Sequence, residues 1–112
     1  MDQIAAQKAP LPRPAPEEMG RQAENAARFL KLMANPNRLM ILCHLLETEM
    51  SVSELNAHLP LSQSALSQHL ALLRNSGLVK TRRDQQTIYY SLASKEVQAV
   101  MAVLYEQFCR PR

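Results

Sequence analysis

Glycine is nearly absent from this chain. Its 112 residues contain two, Gly20 and Gly77, which excludes a glycine-rich loop that cradles a nucleotide phosphate. Long apolar runs are missing as well. The longest candidate, Leu39 to Leu46, is interrupted by His44 and falls well short of the roughly 18 residues that span a bilayer. The start, Met-Asp-Gln, has no basic stretch leading into an apolar one, so neither a signal peptide nor a membrane span is expected, and the expected location is cytoplasmic. No Ser-His-Asp grouping and no carboxylate pair in an evident cleft stands out, so the sequence gives no support to an enzyme, and no cofactor is expected. Cysteine is limited to Cys43 and Cys109. In a reducing compartment a permanent disulfide between them is not expected, and a buried cysteine ordinarily acts as a small hydrophobe.

What is present suffices for one domain. Apolar residues make up 46% of the chain, enough for a packed core. The formal charge is +3, and the excess is uneven. Arg74, Lys80, Arg82 and Arg83 fall close together with no acid before Asp84, the kind of local cluster that phosphate binding requires.

Residues 1–16 carry Pro10, Pro12, Pro14 and Pro16. Such a stretch cannot sustain a helix and is read as a disordered tail. The domain is expected over 17–112. A first helix starts with Glu17 and Glu18, acids suited to the positive end of a helix dipole, and runs to about Ala34. Asn35-Pro36-Asn37 breaks the chain, and Pro36 is placed to open a second helix to about Glu47. There Leu39, Leu42, Cys43 and Leu46 form one stripe facing a core. Ser51 with Glu54 fits a capping box for a short third helix that ends near Leu59-Pro60. Ser62 caps a fourth helix running to Asn75, and Gly77 ends it. Leu78 to Arg83 and Thr87 to Leu92 alternate like paired strands around the turn Asp84-Gln85-Gln86. Ser94 caps a last helix with a stripe of Val97, Val100, Met101, Leu104 and Phe108. The fold class is mainly α with a small β-hairpin, in the order ααααββα.

Two short helices joined by a tight turn and followed by a hairpin describe a winged helix-turn-helix. On a wheel of about 100° per residue, Leu66, Leu70 and Leu73 of the fourth helix share one side. Ser64, Ser67, Gln68, Ala71 and Asn75 occupy the other, a face without full charge, whereas an ordinary solvated face carries Lys and Glu. Short hydroxyls and amides let a helix approach base edges, and Gln bonds adenine through two contacts. Candidate DNA-binding residues are therefore Gln63, Ser64, Ser67 and Gln68 on the helix, and Arg82, Arg83, Gln85 and Gln86 on the wing, where phosphate or minor-groove contact is expected. The expected partner is double-stranded operator DNA. A second copy is also expected, because dimers read palindromes and the terminal helices carry apolar stripes suited to pairing.

Leu32-Met33-Ala34-Asn35-Pro36-Asn37-Arg38-Leu39-Met40-Ile41-Leu42 resembles the entry segment of ArsR-type repressors. Leu61-Ser62-Gln63-Ser64-Ala65-Leu66-Ser67-Gln68-His69-Leu70 resembles their recognition helix, and Gly77-Leu78-Val79 with Tyr89-Tyr90-Ser91-Leu92 resembles their wing. The likeness covers about residues 20 to 110. It implies dimeric repressors that leave their operator when an inducer binds. Thiolate metal sites in that family use a Cys-x-Cys in the third helix, where this chain has Ser51-Val52-Ser53. Hydroxyls are poor ligands for soft metals. The family's other common metal site uses Asp and His in the last helix, and this one has neither, so no metal site is expected.

Ile41-Leu42-Cys43-His44-Leu45 and Tyr105-Glu106-Gln107-Phe108-Cys109 resemble the reactive-sulfur-sensing subgroup of the family, which carries one cysteine in each of the same two helices. The resemblance implies that Cys43 and Cys109 form a redox switch, bridged directly or through extra sulfur by reactive sulfur species. The alternative is a metal-responsive repressor with a non-standard thiol site completed by a partner chain. A partner-binding module without DNA is opposed by the uncharged helix face and the basic hairpin. The wing turn lacks the glycine often found there.

Overall fold

The structure, a computed structural model, describes residues 10–111. Of the proline-rich segment expected to be disordered, residues 1–9 lie outside the described residues. Residues 10–15 form neither helix nor strand, and Pro16 opens α1 (Pro16–Met33). Residues up to Leu30 and residues from Lys31 onward form two compact units, each taken by itself. In the first, Glu17 and Glu18 occupy the first turn of α1, and Gln22 Nε2 donates to Glu18 at 2.8 Å.

The second unit opens with the end of α1. Met33 is buried there, and the chain then turns at Asn35. This residue caps α2 (Pro36–His44), its Oδ1 accepting from the amides of Asn37 and Arg38 at 3.0 and 3.1 Å. Arg38 Nε donates back to Leu32 O at 2.6 Å, closing the corner. The core face of α2 differs from the stripe expected. Ile41 and Leu42 are fully buried and Leu45 nearly so, while Leu39, Cys43 and Leu46 are half-buried. The helix also ends at His44, short of Glu47, because Leu45 leaves helical geometry and its amide bonds back to Ile41 and Cys43.

After the loop 45–49 comes β1 (Met50–Ser51), and Ser51 directly caps α3 (Val52–His58). Both halves of the capping box form: Glu54 N donates to Ser51 Oγ at 3.2 Å, and Ser51 N donates to Glu54 Oε1 at 2.8 Å. Ser51 is the sole buried polar residue among the described residues. Replacing it with alanine leaves an amide without its acceptor in a buried position. Ser51→Ala is expected to cost about 1–2 kcal/mol and to lower the melting temperature by roughly 5–10 °C for a domain of this size, read in a thermal melt.

The turn between α3 and α4 (Gln63–Asn75) is pinned by Asn56, whose Nδ2 donates to Leu61 O at 2.8 Å. Ser62 caps α4 through Ala65 N at 3.1 Å. At the other end Gly77 takes a left-handed φ of 82°. This lets Leu78 N reach Leu73 O at 2.9 Å and Gly77 N reach Arg74 O at 3.1 Å, the paired bonds of a Schellman motif. Leu73 and Leu78, which that motif brings together, are both buried.

β2 (Val79–Asp84) and β3 (Thr87–Leu92) pair antiparallel from Val79 with Leu92 to Asp84 with Thr87, leaving Gln85 and Gln86 as a two-residue loop. Gln85 adopts a φ of 57°, so a side chain occupies the left-handed position that glycine ordinarily fills. A third strand extends the expected hairpin: β1 pairs with β3, Met50 with Tyr90 and Ser51 with Tyr89, giving the order β1-β3-β2. Ser94 then caps α5 (Lys95–Leu104) through Val97 N at 3.3 Å. Val97 and Met101 are buried. The helix widens into a π-helical turn at Tyr105–Cys109, with Arg110 N bonded to Tyr105 O at 2.9 Å. The architecture is mainly helical with a small antiparallel sheet, as the residue pattern implies.

Candidate nucleic-acid interface and thiol pair

α4 has two faces with different chemistry. Leu66, Leu70 and Leu73 are at most 1% exposed, and the helix packs on α3 and β2. Gln63, Ser64, Ser67, Gln68, Ala71 and Asn75 are exposed. The burial of the leucines fixes which side faces outward, so the hydroxyl and amide face is presented by packing rather than by local propensity. Ser62, at the cap, keeps the first turn of that face in place.

The wing presents Arg83, Gln85 and Gln86 at its exposed tip. Arg83 Nε donates to Gln85 O at 2.9 Å, folding the arginine over the turn. Arg82 is placed differently. Its Nε lies 3.0 and 3.2 Å from the two carboxylate oxygens of Glu49, and its Nη2 also donates to Glu49. The guanidinium carbon stands 4.8 Å from the Tyr89 ring centroid. This arginine holds the Glu49 carboxyl below its ordinary range. Glu49 is a functional candidate the sequence reading missed. An isolated acid in a loop gives no local signal, and only the β1–β3 pairing brings it beside β2.

Cys43 and Cys109 are brought together. Sixty-five residues lie between them in the chain, yet both line one cavity of about 380 Å3 with Leu39, Met40, Met101 and Leu104. His44, Tyr105 and Phe108 complete the lining. Both thiols are free, Cys43 half-buried and Cys109 exposed. Burial pushes the Cys43 thiol up, and the nearby Cys109 thiol adds to this. Phe108, expected in the apolar stripe, is 80% exposed. The widened π-helical turn removes the regular helical phase on which that stripe was drawn.

The rings of His44 and His58 stack with centroids 5.3 Å apart and planes 25° from parallel, joining the ends of α2 and α3. Burial, and then the charge of His58, lower the pKa of His44 below 6.5. A histidine whose folded pKa lies below its unfolded value binds fewer protons when folded. Its contribution is therefore complete above about pH 6.5 and is lost as pH falls through that value toward the lower folded one. Thermal melts are expected to show stability falling as the pH drops below about 6.5. His44→Phe, which keeps a ring but cannot titrate, is expected to flatten that slope. Among the described residues no group of three or more His, Cys, Asp or Glu side chains is arranged to hold a metal ion, and no helix is long and apolar enough to cross a membrane.

A capped recognition helix set on a second short helix, followed by a two-stranded wing, defines a winged helix-turn-helix DNA-binding regulator. The family model "Bacterial regulatory protein, arsR family" matches residues 35–81. The chain is 52% identical to the transcriptional activator HlyU of Vibrio cholerae over 94 residues, which cover 84% of this chain and 87% of that one. It is 43% identical to the biofilm growth-associated repressor of Agrobacterium fabrum, over 90% of this chain and 84% of that one. The solved structure of reduced HlyU from V. cholerae superposes with a TM-score of 0.80 at 52% identity, over 84% of this chain and 99% of that one. This protein belongs to the arsR family of bacterial transcriptional regulators. It is similar to the biofilm growth-associated repressors within that family, and its relatives are regulators rather than enzymes.

Proposed function

We propose that this protein is a homodimeric repressor that holds a palindromic operator while its thiols are reduced and releases it when reactive sulfur species oxidise or bridge Cys43 and Cys109. The observation that carries this reading is the meeting of the two thiols in one largely apolar cavity between α2 and α5. A covalent link there ties the helix that leads into the recognition unit to the last helix of the chain. Gln63, Ser64, Ser67 and Gln68 read bases, and the wing residues Arg82, Arg83, Gln85 and Gln86 meet the backbone or the minor groove. The partner copy docks on the terminal helices. Val103 and Phe108, 60% and 80% exposed, support this, since apolar side chains left on a helix suit a bundle interface. Dithiol switching suits the cytoplasm, where free thiols persist. The two named relatives support the DNA-regulatory part of this reading, one called an activator and one a repressor.

The test uses a duplex that the reduced protein itself selects from a randomised library. Fluorescence anisotropy before and after treatment with a persulfide donor is expected to show weakened binding in the wild type and unchanged binding in Cys43→Ser. Unaltered wild-type affinity, or a normal response in the serine variant, overturns the switch.

A further inference from the structure

Arg82 lies on the strand that leads to the wing tip, where a cation is expected to meet a DNA phosphate. Its guanidinium is already occupied by Glu49, Nε bonding both carboxylate oxygens and Nη2 bonding one of them. Glu49 immediately precedes β1, and β1 is paired to the same middle strand that carries Tyr89, the cross-strand partner of Arg82. The acid is thus held beside the wing by the sheet. Tyr89 supports the guanidinium from its face, and Asp84, two residues along the strand, adds a second negative charge near it. The side chains of Arg82 and Glu49 remain 54% and 36% exposed, so water and a competing anion can reach the pair. Such an exposed pair is held weakly. Carboxylate and phosphate each offer the planar arginine fork two oxygens for two-point pairing.

We propose that Glu49 is an intramolecular stand-in for DNA phosphate: it occupies Arg82 in the free protein, must surrender it to the backbone on binding, and thereby sets both the affinity and the salt dependence of the complex. The proposal rests on the reading that the wing faces DNA. While paired to Glu49, Arg82 adds no net charge at that corner and displaces no counterion. On exchange Arg82 neutralises one phosphate, and the freed carboxylate is left near a polyanion, which opposes binding. Arg83 provides the contrast. Among the described residues it has no carboxylate partner, and its Nε is spent on the Gln85 carbonyl.

The test measures the affinity of the reduced full chain for its self-selected duplex across about 50–200 mM salt, in wild type, Glu49→Gln, Arg82→Ala, the double variant and Arg83→Ala. Glu49→Gln is expected to tighten binding about 3- to 10-fold at low salt and to steepen the slope of log K against log salt by about 0.9, because no freed carboxylate is left to take up a cation and offset the counterion that Arg82 releases. Arg82→Ala in the same chain is expected to remove both changes. Equal tightening by Glu49→Gln in the Arg82→Ala background would reduce Glu49 to a general field effect and overturn the proposal. Weaker binding by Glu49→Gln would make the pair a structural clamp and overturn it as well. If Arg83→Ala flattens the slope while Glu49→Gln leaves it unchanged, the proposal alone falls. If neither variant moves the slope, the wing does not meet the backbone, and the proposal falls together with the reading beneath it.

Discussion

Cys109→Ser is expected to abolish operator release by a persulfide donor, while the treated wild type binds at least about tenfold more weakly, the scale of a typical coupling energy between sites. The two thiols are not equivalent. Cys109 is exposed, whereas Cys43 is half-buried with its thiol pushed up by burial and by Cys109. Thiolate is the nucleophile, so in the proposed switch Cys109 is expected to attack first, in the following order. Its sulfur takes the outer sulfur of the donor persulfide, the donor leaves as a thiol, and Cys109 becomes a persulfide. Cys43 then attacks the inner sulfur, forming the Cys43–Cys109 disulfide and releasing hydrogen sulfide. Two protein thiols are oxidised, and one persulfide is reduced to a thiol and hydrogen sulfide. Cys43→Ser therefore blocks the second step only. Intact-mass spectrometry is expected to find one additional sulfur on Cys109 in that variant, and the loss of two hydrogens in the treated wild type. Modification of Cys43 ahead of Cys109 would reverse this order.

The site was unevenly legible in the sequence. Helix α4 was read with its side-chain cap, its terminating glycine and its buried face because each signal is local: Ser62 lies three residues before Ala65, Gly77 directly follows the cap residue, and three leucines share one phase. The capping box at Ser51 and Glu54 was local in the same way. The pairing of the cysteines was not. No periodicity connects residues on two helices, and the family likeness rather than the spacing brought Cys43 and Cys109 together. Strand β1 was missed because two residues carry no alternation, and its existence depends on Tyr89 and Tyr90 offering an edge. Arg82 and Arg83 are adjacent cations in the sequence, yet the sheet gives one of them a carboxylate and leaves the other over the turn. On α2 the expected stripe lay to one side of the true one. Leu39 and Cys43 line a cavity, while Ile41 and Leu45 pack into the core, a choice made by neighbouring helices rather than by hydrophobicity.

Leu66→Ala and Gln68→Ala lie two residues apart on α4 and are expected to fail in opposite ways. Leu66 is fully buried with Leu70 and Leu73, and Leu55 of α3 is equally enclosed. Removing its side chain deletes apolar contacts and opens a cavity between elements that relax only in part, at a cost of about 2–5 kcal/mol. Against the roughly 5–15 kcal/mol that holds a typical domain folded, this is enough to lower the melting temperature by more than 10 °C or so. Gln68 is exposed and has no hydrogen-bond partner among the described residues, so Gln68→Ala is expected to melt within a degree or two of wild type. Its loss appears on DNA instead. One two-point base contact is worth about 1–3 kcal/mol, so affinity for the selected duplex is expected to fall about 5- to 150-fold, with the salt slope unchanged because no phosphate contact is lost. Leu66→Ala provides the converse control: measured well below its melting point, the fraction still folded binds close to normally. If Gln68→Ala left operator affinity intact, the exposed face of α4 would be ordinary surface, and the burial of Leu66, Leu70 and Leu73 would orient the helix without serving recognition.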